Sequence, residues 1–529
     1  MSYTPLRQIG GRKSISATTL MGAKGENLLQ IPQVLNTQNA LIINNYLCAA
    51  DGQLVKRKGL RRLLDVVSAY TGNLIMEFTS DIWIFGYGTT VSAYTFSTDT
   101  VTVIKSNFAT SDAFTGARCG DYFFVSNAGE KIGYFGLDLV YHVIATAPKS
   151  HCLKLIGTRL YAADSDTDSV RYSEVDTGTN PPFIAAGSWT VGATATAGGQ
   201  VFFRNGGTPR SILAVGPYVL VLCDKGKYAF QTTTTDVGGI LTKVDQFVMS
   251  REDFGGAKGA ITCAAGTFYA NEGGLWLLTA LGQQNIPYSD QEAQVGVLLG
   301  NKYFDNIDLS NCDITYDAIN KNVLVTCAKN SSTNNYVIVY NVVNKSFSRI
   351  TGWNIARFMN IDSTIYAISS LSPRIYQCFS GSDDDGSAIA TEFLQELKLG
   401  DLDTRQMLEE VKVQGFLSTS SVIRVRFNIY DVTGRLINDK LILEWTCQMN
   451  NNGVDGYNSA QYSSSIYGGD VDYANLIESF DGLKPYIRNF QRIQIHITSG
   501  DKLPHIINWV KLTAHVKNTI RRRSMQQIT

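Results

Sequence analysis

RLYAADSDTDSVRYSEV, residues Arg159 to Val175, decides how the rest of the chain is read. Leu160 and Ala162 alternate with Tyr161 and Ala163, and beyond a polar turn Val170 and Tyr172 alternate with Arg171 and Ser173. A period of two sends successive side chains to opposite faces, so the stretch predicts a β-hairpin and not a helix. A lone hairpin is only marginally stable in water, so its neighbours must supply the rest of a core. They follow the same pattern: DIWIFGYGTTVSAYTF from Asp81, DYFFVSNAGEKIGYFG from Asp121, YVLVLCDKGKYAF from Tyr218, GTFYANEGGLWLLT from Gly266, NVLVTCAKNSSTNNYVIVYN from Asn322 and STIYAISSLSPRIYQCF from Ser363.

From residue 66 to 380 these hairpins recur at roughly 40–50 residues per four strands, the period of β-propeller blades. Blades are expected at 73–105, 115–145, 152–205, 210–248, 258–288, 311–350 and 354–380, about seven, with six or eight also compatible. Each would be apolar on both faces, and a closed ring leaves no face uncovered. WD dipeptides are absent, so the array is divergent.

Composition agrees with an all-β chain. Tyr (26) and Phe (24) are abundant, Gly numbers 47 and Pro 11, and charged residues make up 17%, too apolar a mix for disorder. At 529 residues the chain exceeds one ordinary core, so more than one domain is expected. A net charge of zero gives no global field toward nucleic acid or membrane, so any charge effect is local. The 9 cysteines are scattered and never spaced CxxC, which argues against a disulfide framework and a zinc site. No signal-like segment and no apolar run of membrane-spanning length occurs, which predicts a soluble protein made in a reducing compartment, with no membrane insertion.

Outside the repeats the pattern changes. Residues 1–65 read as an extended basic arm whose Leu28, Leu29, Ile31, Leu41 and Ile43 need a partner, either the C-terminal domain or a neighbouring subunit. The arm ends in the cluster Lys56, Arg57, Lys58, Arg61 and Arg62. Such a cluster either meets phosphates, displacing counterions, or forms a solvated face or pairs with acids at a subunit interface. Residues 381–388, GSDDDGSA, read as a polar linker, and 389–529 as a β-sandwich carrying an Asn, Ser, Gly and Tyr insertion at 449–475.

Catalytic patterns are missing: the chain has no phosphate-binding glycine loop, nucleophile elbow or HExxH, and its 5 histidines are dispersed. No catalytic residue, cofactor or metal site is therefore expected. Asp164, Asp166 and Asp168 start like a calcium loop, but Ser169 replaces the required Gly, so a polar turn is the simpler reading. Asp383 to Asp385 read as a solvated linker, and His496, within IQIHI, as a strand residue. A carbohydrate-binding or carbohydrate-cleaving propeller is the alternative reading, with Trp189 and Trp276 as sugar platforms, although Trp276 alternates within GLWLL as a core residue would.

Three stretches together resemble the tail hub, or nozzle, proteins of short-tailed bacteriophages, including those called packaged-DNA stabilisation proteins. They are NNYLCAADGQLVKRKGLRRL from Asn44, with its Lys-Arg-x-Gly; GTRLYAADSDTDSVRYSEVDTG from Gly157, a hairpin ending in Tyr-Ser; and GSDDDGSAIATEFLQELKLGD from Gly381, with an Asp-Gly step into the last domain. Lys58 stands where the family's turn has Pro, and the insertion at 449–475 has no counterpart. The resemblance implies a non-enzymatic virion protein, a hexameric ring below the portal adaptor protein. Such a ring would line the exit channel for double-stranded DNA, contact it without sequence preference, help retain it, and dock tail fibres or a tail needle.

Overall fold

The computed structural model describes residues 13–20, 40–49, 53–66, 68, 70–110, 113–178, 182–185, 187–203, 205–237, 240–251, 259–271, 274–278, 292–294, 306–397, 405–418, 421–430, 435–446, 477–483, 487–490 and 492–517. The insertion expected at 449–475 lies outside them. All elements among the described residues are β-strands, and no helix there is long and apolar enough to cross a membrane. The chain divides into two compact units: residues 1–60, 343–350 and 379–529 form the first, and residues 61–342 and 351–378 the second. These bounds differ from the sequence expectation of an arm at 1–65 and repeats at 66–380.

The second unit is built from small sheets. Sheet one takes its strands from between Gly72 and Lys105, sheet two from between Thr115 and Val143, sheet three from between Ser150 and Phe202, sheet four from between Pro209 and Arg251, and sheet five is Ala260–Cys263, Gly266–Asn271, Gly274–Leu278 and Glu292–Gln294; each is four-stranded with successive strands antiparallel. Sheet six contains Ile314–Asp317, Asn322–Lys329 and Tyr336–Asn341. Sheet seven contains Ile355–Ile361, Thr364–Ser369 and Arg374–Cys378, and its fourth strand is Leu60–Asp65, from the stretch read in sequence as the end of the arm. The opening strands follow one another in contact: Gly72–Glu77 lies against Thr115–Cys119, which lies against Ser150–Ile156, then Pro209–Val215, Ala260–Cys263, Ile314–Asp317 and Ile355–Ile361, and this last strand lies against Gly72–Glu77.

The hairpin at Arg159 shows why the period of two builds this arrangement. Strand Arg159–Asp164 pairs with Ser169–Tyr172, setting Tyr161 opposite Tyr172 and Asp164 opposite Ser169. All six residues of the first strand are buried, because its two faces serve different cores. Leu160 and Ala162 pack with Phe124, Ile132 and Leu153 of sheets two and three, whereas Tyr161 and Ala163 pack with Ile212, Val221 and Phe230 of sheet four. Sheet one is divided likewise: Leu74 and Ile84 face Phe123 of sheet two, and Ile75, Trp83 and Phe85 face Met359 and Ile375 of sheet seven. The head of the Arg159 hairpin is fixed by polar bonds. The Arg159 guanidinium donates to the carbonyls of Ser173, Ala195 and Ala197, each at 2.7 Å, and the Tyr172 hydroxyl donates to Asp245 at 2.7 Å.

In the first unit two sheets share one core. The first joins Tyr46–Cys48, Leu54–Lys56, His505–Lys517, Arg405–Leu417 and Ile477–Leu483 in that order, with Lys13–Leu20 on the free side of His505–Lys517. The second joins Ile42–Asn44, Thr391–Leu397, Arg492–Ser499, Val422–Tyr430 and Leu436–Thr446. Strand Val422–Tyr430 alternates throughout: Ile423, Val425, Phe427 and Ile429 point into the core with Leu54, Val411, Val510, Phe393 and Ile495, and Arg424 points out. Strands Ile42–Asn44 and Leu54–Lys56 thus pair with strands that lie more than 300 residues later, for example Ile43 opposite Phe393 and Leu54 opposite Ile507.

Candidate functional site

The basic cluster is split by its strand pattern. Leu54–Lys56 is a fully buried strand, and the Lys56 side chain is 1% exposed. Its ammonium donates to the carbonyls of Asp501 at 2.6 Å and Leu503 at 3.0 Å, and stands 3.3 Å from Asp501 Oδ1. Burial lowers the Lys56 pKa, and the Asp501 carboxylate opposes that shift. Asp501 is anchored in turn by the Val422 N–H at 2.9 Å and the Ser421 hydroxyl at 3.0 Å.

Arg57 is also buried, and its planar fork is filled. Nε donates to Asn45 Oδ1 at 2.9 Å, and the two terminal nitrogens donate to Asp384 Oδ1 and Oδ2 at 2.8 and 2.6 Å. Two-point pairing of this kind suits a guanidinium and would not suit Lys. Asn45, held at φ 58°, is fixed by its own amide, which donates to the Ala390 carbonyl at 2.7 Å. Beside it the backbone of Gly59 and Leu60 exchanges bonds with residues 380–385: Gly59 N to Gly381 O at 2.9 Å, Leu60 N to Asp383 O at 3.0 Å, and Asp385 N to Leu60 O at 2.9 Å. A Cβ on Gly59 would sit 1.6 Å from the Asp383 oxygen, so only glycine permits this approach.

Two sequence readings meet these positions. Lys56 and Arg57, read as a DNA or subunit contact or a solvated face, are buried, with acids and carbonyls of their own chain around them. Asp384, read as part of a solvated linker, is the partner that offsets the burial of Arg57. Lys58 is half-buried. The second unit carries the exposed part of the cluster, Arg61 and Arg62. Arg62 pairs with Asp65 at 2.7 Å, and Arg374 reaches the same carboxylate at 2.9 Å. The Arg374 hydrogen bond keeps the Asp65 carboxyl below the usual carboxylate range. Asp65 thus joins two guanidinium groups, Arg62 and Arg374, and Arg374 had no signal in the sequence because it joins from a strand 309 residues away.

The other candidates resolve individually. Asp164, Asp166 and Asp168 do not converge: Asp164 accepts the Asp166 N–H at 3.0 Å and pairs with Arg171 at 3.2 Å, and Asp166 stands 3.4 Å from Lys149. His496 sits 3.0 Å from Glu392 on the outward face of its strand. Trp189 is 3% exposed and donates its indole N–H to the Phe183 carbonyl at 3.1 Å, so its ring is wall and not platform. Trp276 stacks on Tyr269 and donates to Asn271 at 2.7 Å. Trp189→Ala is expected to destabilise the second unit by about 3–5 kcal/mol in urea unfolding, since a large indole leaves a cavity among Phe124, Leu160 and Phe183.

No family model matches this chain, and no curated protein matches it. Among solved structures it is similar to the computationally designed Ika8 protein, at 10% identity and TM-score 0.36, covering 64% of this chain and 99% of that one. A chain of the Mitotic Checkpoint Complex is similar at 10% identity and TM-score 0.40, covering 61% of this chain and 92% of that one. The extracellular domain of a hybrid two-component system of B. thetaiotaomicron is similar at 11% identity and TM-score 0.42, covering 73% of this chain and 47% of its own. None of these likenesses bears on function.

Proposed function

We propose that this chain is a structural protein of a short-tailed phage tail, a hub whose second unit is a closed seven-bladed propeller and whose first unit is a β-sandwich. The observation that carries the reading is the meeting of two of the stretches that gave the resemblance: the Lys-Arg-x-Gly segment at 56–59 docks on the Asp-Asp-Gly step at 384–386 through the Arg57–Asp384 pair. Support for the closed ring comes from the opening strand of sheet seven lying against that of sheet one, and from Leu60–Asp65 completing sheet seven. In this reading six copies form a ring below the portal adaptor, fibres or a needle dock on it, and virion DNA passes through it. Phosphate contacts fall to Arg61 and Arg62, with Arg374 beside them, and no longer to Lys56 and Arg57. A channel that must release DNA holds it through few contacts per copy, multiplied by symmetry.

Two measurements test this. Low-resolution particle images and mass determination of the full chain, alone and with virion extract, should show a ring of several times 58.1 kDa; a monomer under every condition removes the reading. Arg61→Ala/Arg62→Ala should leave the ring assembled while weakening its binding to duplex DNA and flattening the salt dependence, by a slope of about 0.9 for each phosphate no longer neutralised. Unchanged DNA binding would remove these residues from the channel, and a failure to form the ring would place them at a subunit interface.

A further inference from the structure

Strand Thr100–Lys105 is the last strand of sheet one, and no strand among the described residues pairs with its outer edge. A row of main-chain N–H and C=O groups therefore faces outward, a template for another strand unless the edge is guarded. Outer strands elsewhere in this unit show such guards. Leu60–Asp65 bears Arg61 and Arg62, His142–Val143 is cut to two residues, and Ile240–Arg251 has its Leu241 carbonyl and Lys243 N–H bonded to Ala195 and Ala193.

From Thr100 to Val103 the edge of sheet one has none of these. Thr100, Val101, Thr102 and Val103 are uncharged and exposed. The charges at either end are turned aside. Asp99 accepts the Tyr94 hydroxyl at 2.7 Å. Ile104 is the extra residue of a bulge, because Val103 lies opposite Ser92 and Lys105 opposite Val91. The bulge shifts the alternation by one, so Lys105 leaves the face that carries Val103. Its ammonium pairs with Glu130 of sheet two and lies 4.2 Å from the ring centre of Phe108 and 4.6 Å from that of Tyr141. The face left beside the free edge is apolar. Val101 lies opposite Tyr94 and Tyr94 opposite Trp83, while the Phe96 ring meets Tyr94 and Trp83 edge-on at 4.7 and 4.6 Å. Val101, Val103 and Phe96 are 41%, 54% and 37% exposed, so an apolar strip follows the unpaired main chain.

We propose that this edge pairs with the same edge of a second copy of the chain, antiparallel about a two-fold axis through Thr102. The strand is complementary to itself, which selects the occupant. An axis perpendicular to the sheet keeps each face with itself, so Val101 of one copy meets Val103 of the other on the face that carries Phe96, and no like charges are opposed. Main-chain bonds supply the affinity, and the valine pairs fix the register. Such a contact is isologous, whereas a six-membered ring is built from head-to-tail contacts, so the pairing stands apart from the hub reading.

Sedimentation of the full chain over a wide concentration range, together with mild oxidation of cysteine variants, tests it. The expected result is a reversible dimer whose Kd rises about tenfold or more in Val103→Lys. Thr102→Cys should give a covalent dimer that the parent does not, because the axis brings the two thiols together. Thr100→Cys should not, since its two copies would stand about 14 Å apart, beyond the reach of a disulfide. All three positions are exposed, and the cysteine variants keep the test usable if Val103→Lys fails to fold. A chain that stays monomeric, a dimer unchanged in Val103→Lys, or equal cross-linking at the two cysteine positions would each overturn the proposal. A ring that assembles without cross-linking in Thr102→Cys would leave the hub reading standing and remove this one; a cross-linked pair without a ring would do the reverse.

Discussion

Gly59→Ala is expected to destabilise the first unit by more than about 4 kcal/mol, a loss that single substitutions reach only through clash, cavity or broken buried charge. Here clash and broken charge act together. The new methyl group would meet the Asp383 carbonyl oxygen at 1.6 Å and its carbon at 2.3 Å, and no flexible side-chain end is available to move aside. Relief requires residues 57–60 and 380–385 to separate, which breaks their backbone bonds and draws Asp384 away from Arg57. Asp384→Leu alone isolates the second effect: leaving the buried Arg57 guanidinium without its carboxylate costs about 3–5 kcal/mol, and Arg57→Met/Asp384→Leu should recover most of it. Urea midpoints across parent, single and double variants measure the cycle. Gly59→Ala within about 1 kcal/mol of the parent would show that the close approach is not required for stability.

Acid should weaken the same unit well before its carboxylates titrate. His505 is fully buried, and burial, followed by the adjacent Lys56 charge, lowers its pKa to about 3. In the unfolded chain it returns to about 6.5. Between these values the unfolded state binds the proton and the folded state does not, so stability rises with pH through this window and falls on acidification by up to about 1.4 kcal/mol per pH unit. From pH 6.5 to 4 the loss is about 3 kcal/mol. Asp501, held below its ordinary value although burial opposes this, adds a separate loss only as pH falls below the carboxylate range. His505→Gln keeps a partner for Tyr46 and removes the titration. Its unfolding midpoint should be nearly flat between pH 6.5 and 4, and a parent-like slope in that variant would assign the acid lability elsewhere.

How much of this was legible in sequence follows from how far apart the partners lie. The hairpin at Arg159 was legible because its strands are joined by a short turn, and register, turn and alternation can be read together; the structure pairs Tyr161 with Tyr172. The positions of the small sheets were legible for the same reason. Strand Leu60–Asp65 was not, since it completes a sheet whose other strands begin at Ile355, and nothing local in LRRLLD names that partner. The burial of Lys56 and Arg57 was hidden by a sound generalisation, that charge runs are solvated, which fails once acids from residues 384 and 501 are brought in. The row of Glu392, Thr498 and Arg424 in the second sheet of the first unit was hidden too, because these residues meet only through antiparallel register between strands distant in sequence.

Strand Leu60–Asp65 also sets a clock on the ribosome. Asp65 meets Arg374 across 309 residues, so sheet seven cannot gain its outer strand until that much more chain has been made. At about 5–20 residues per second this interval is roughly 15–60 s. The earlier sheets can form by local pairing as they emerge, but throughout that interval Leu60–Asp65 is a synthesised strand with no sheet to join, open to chaperones and to the same strand on a neighbouring nascent chain.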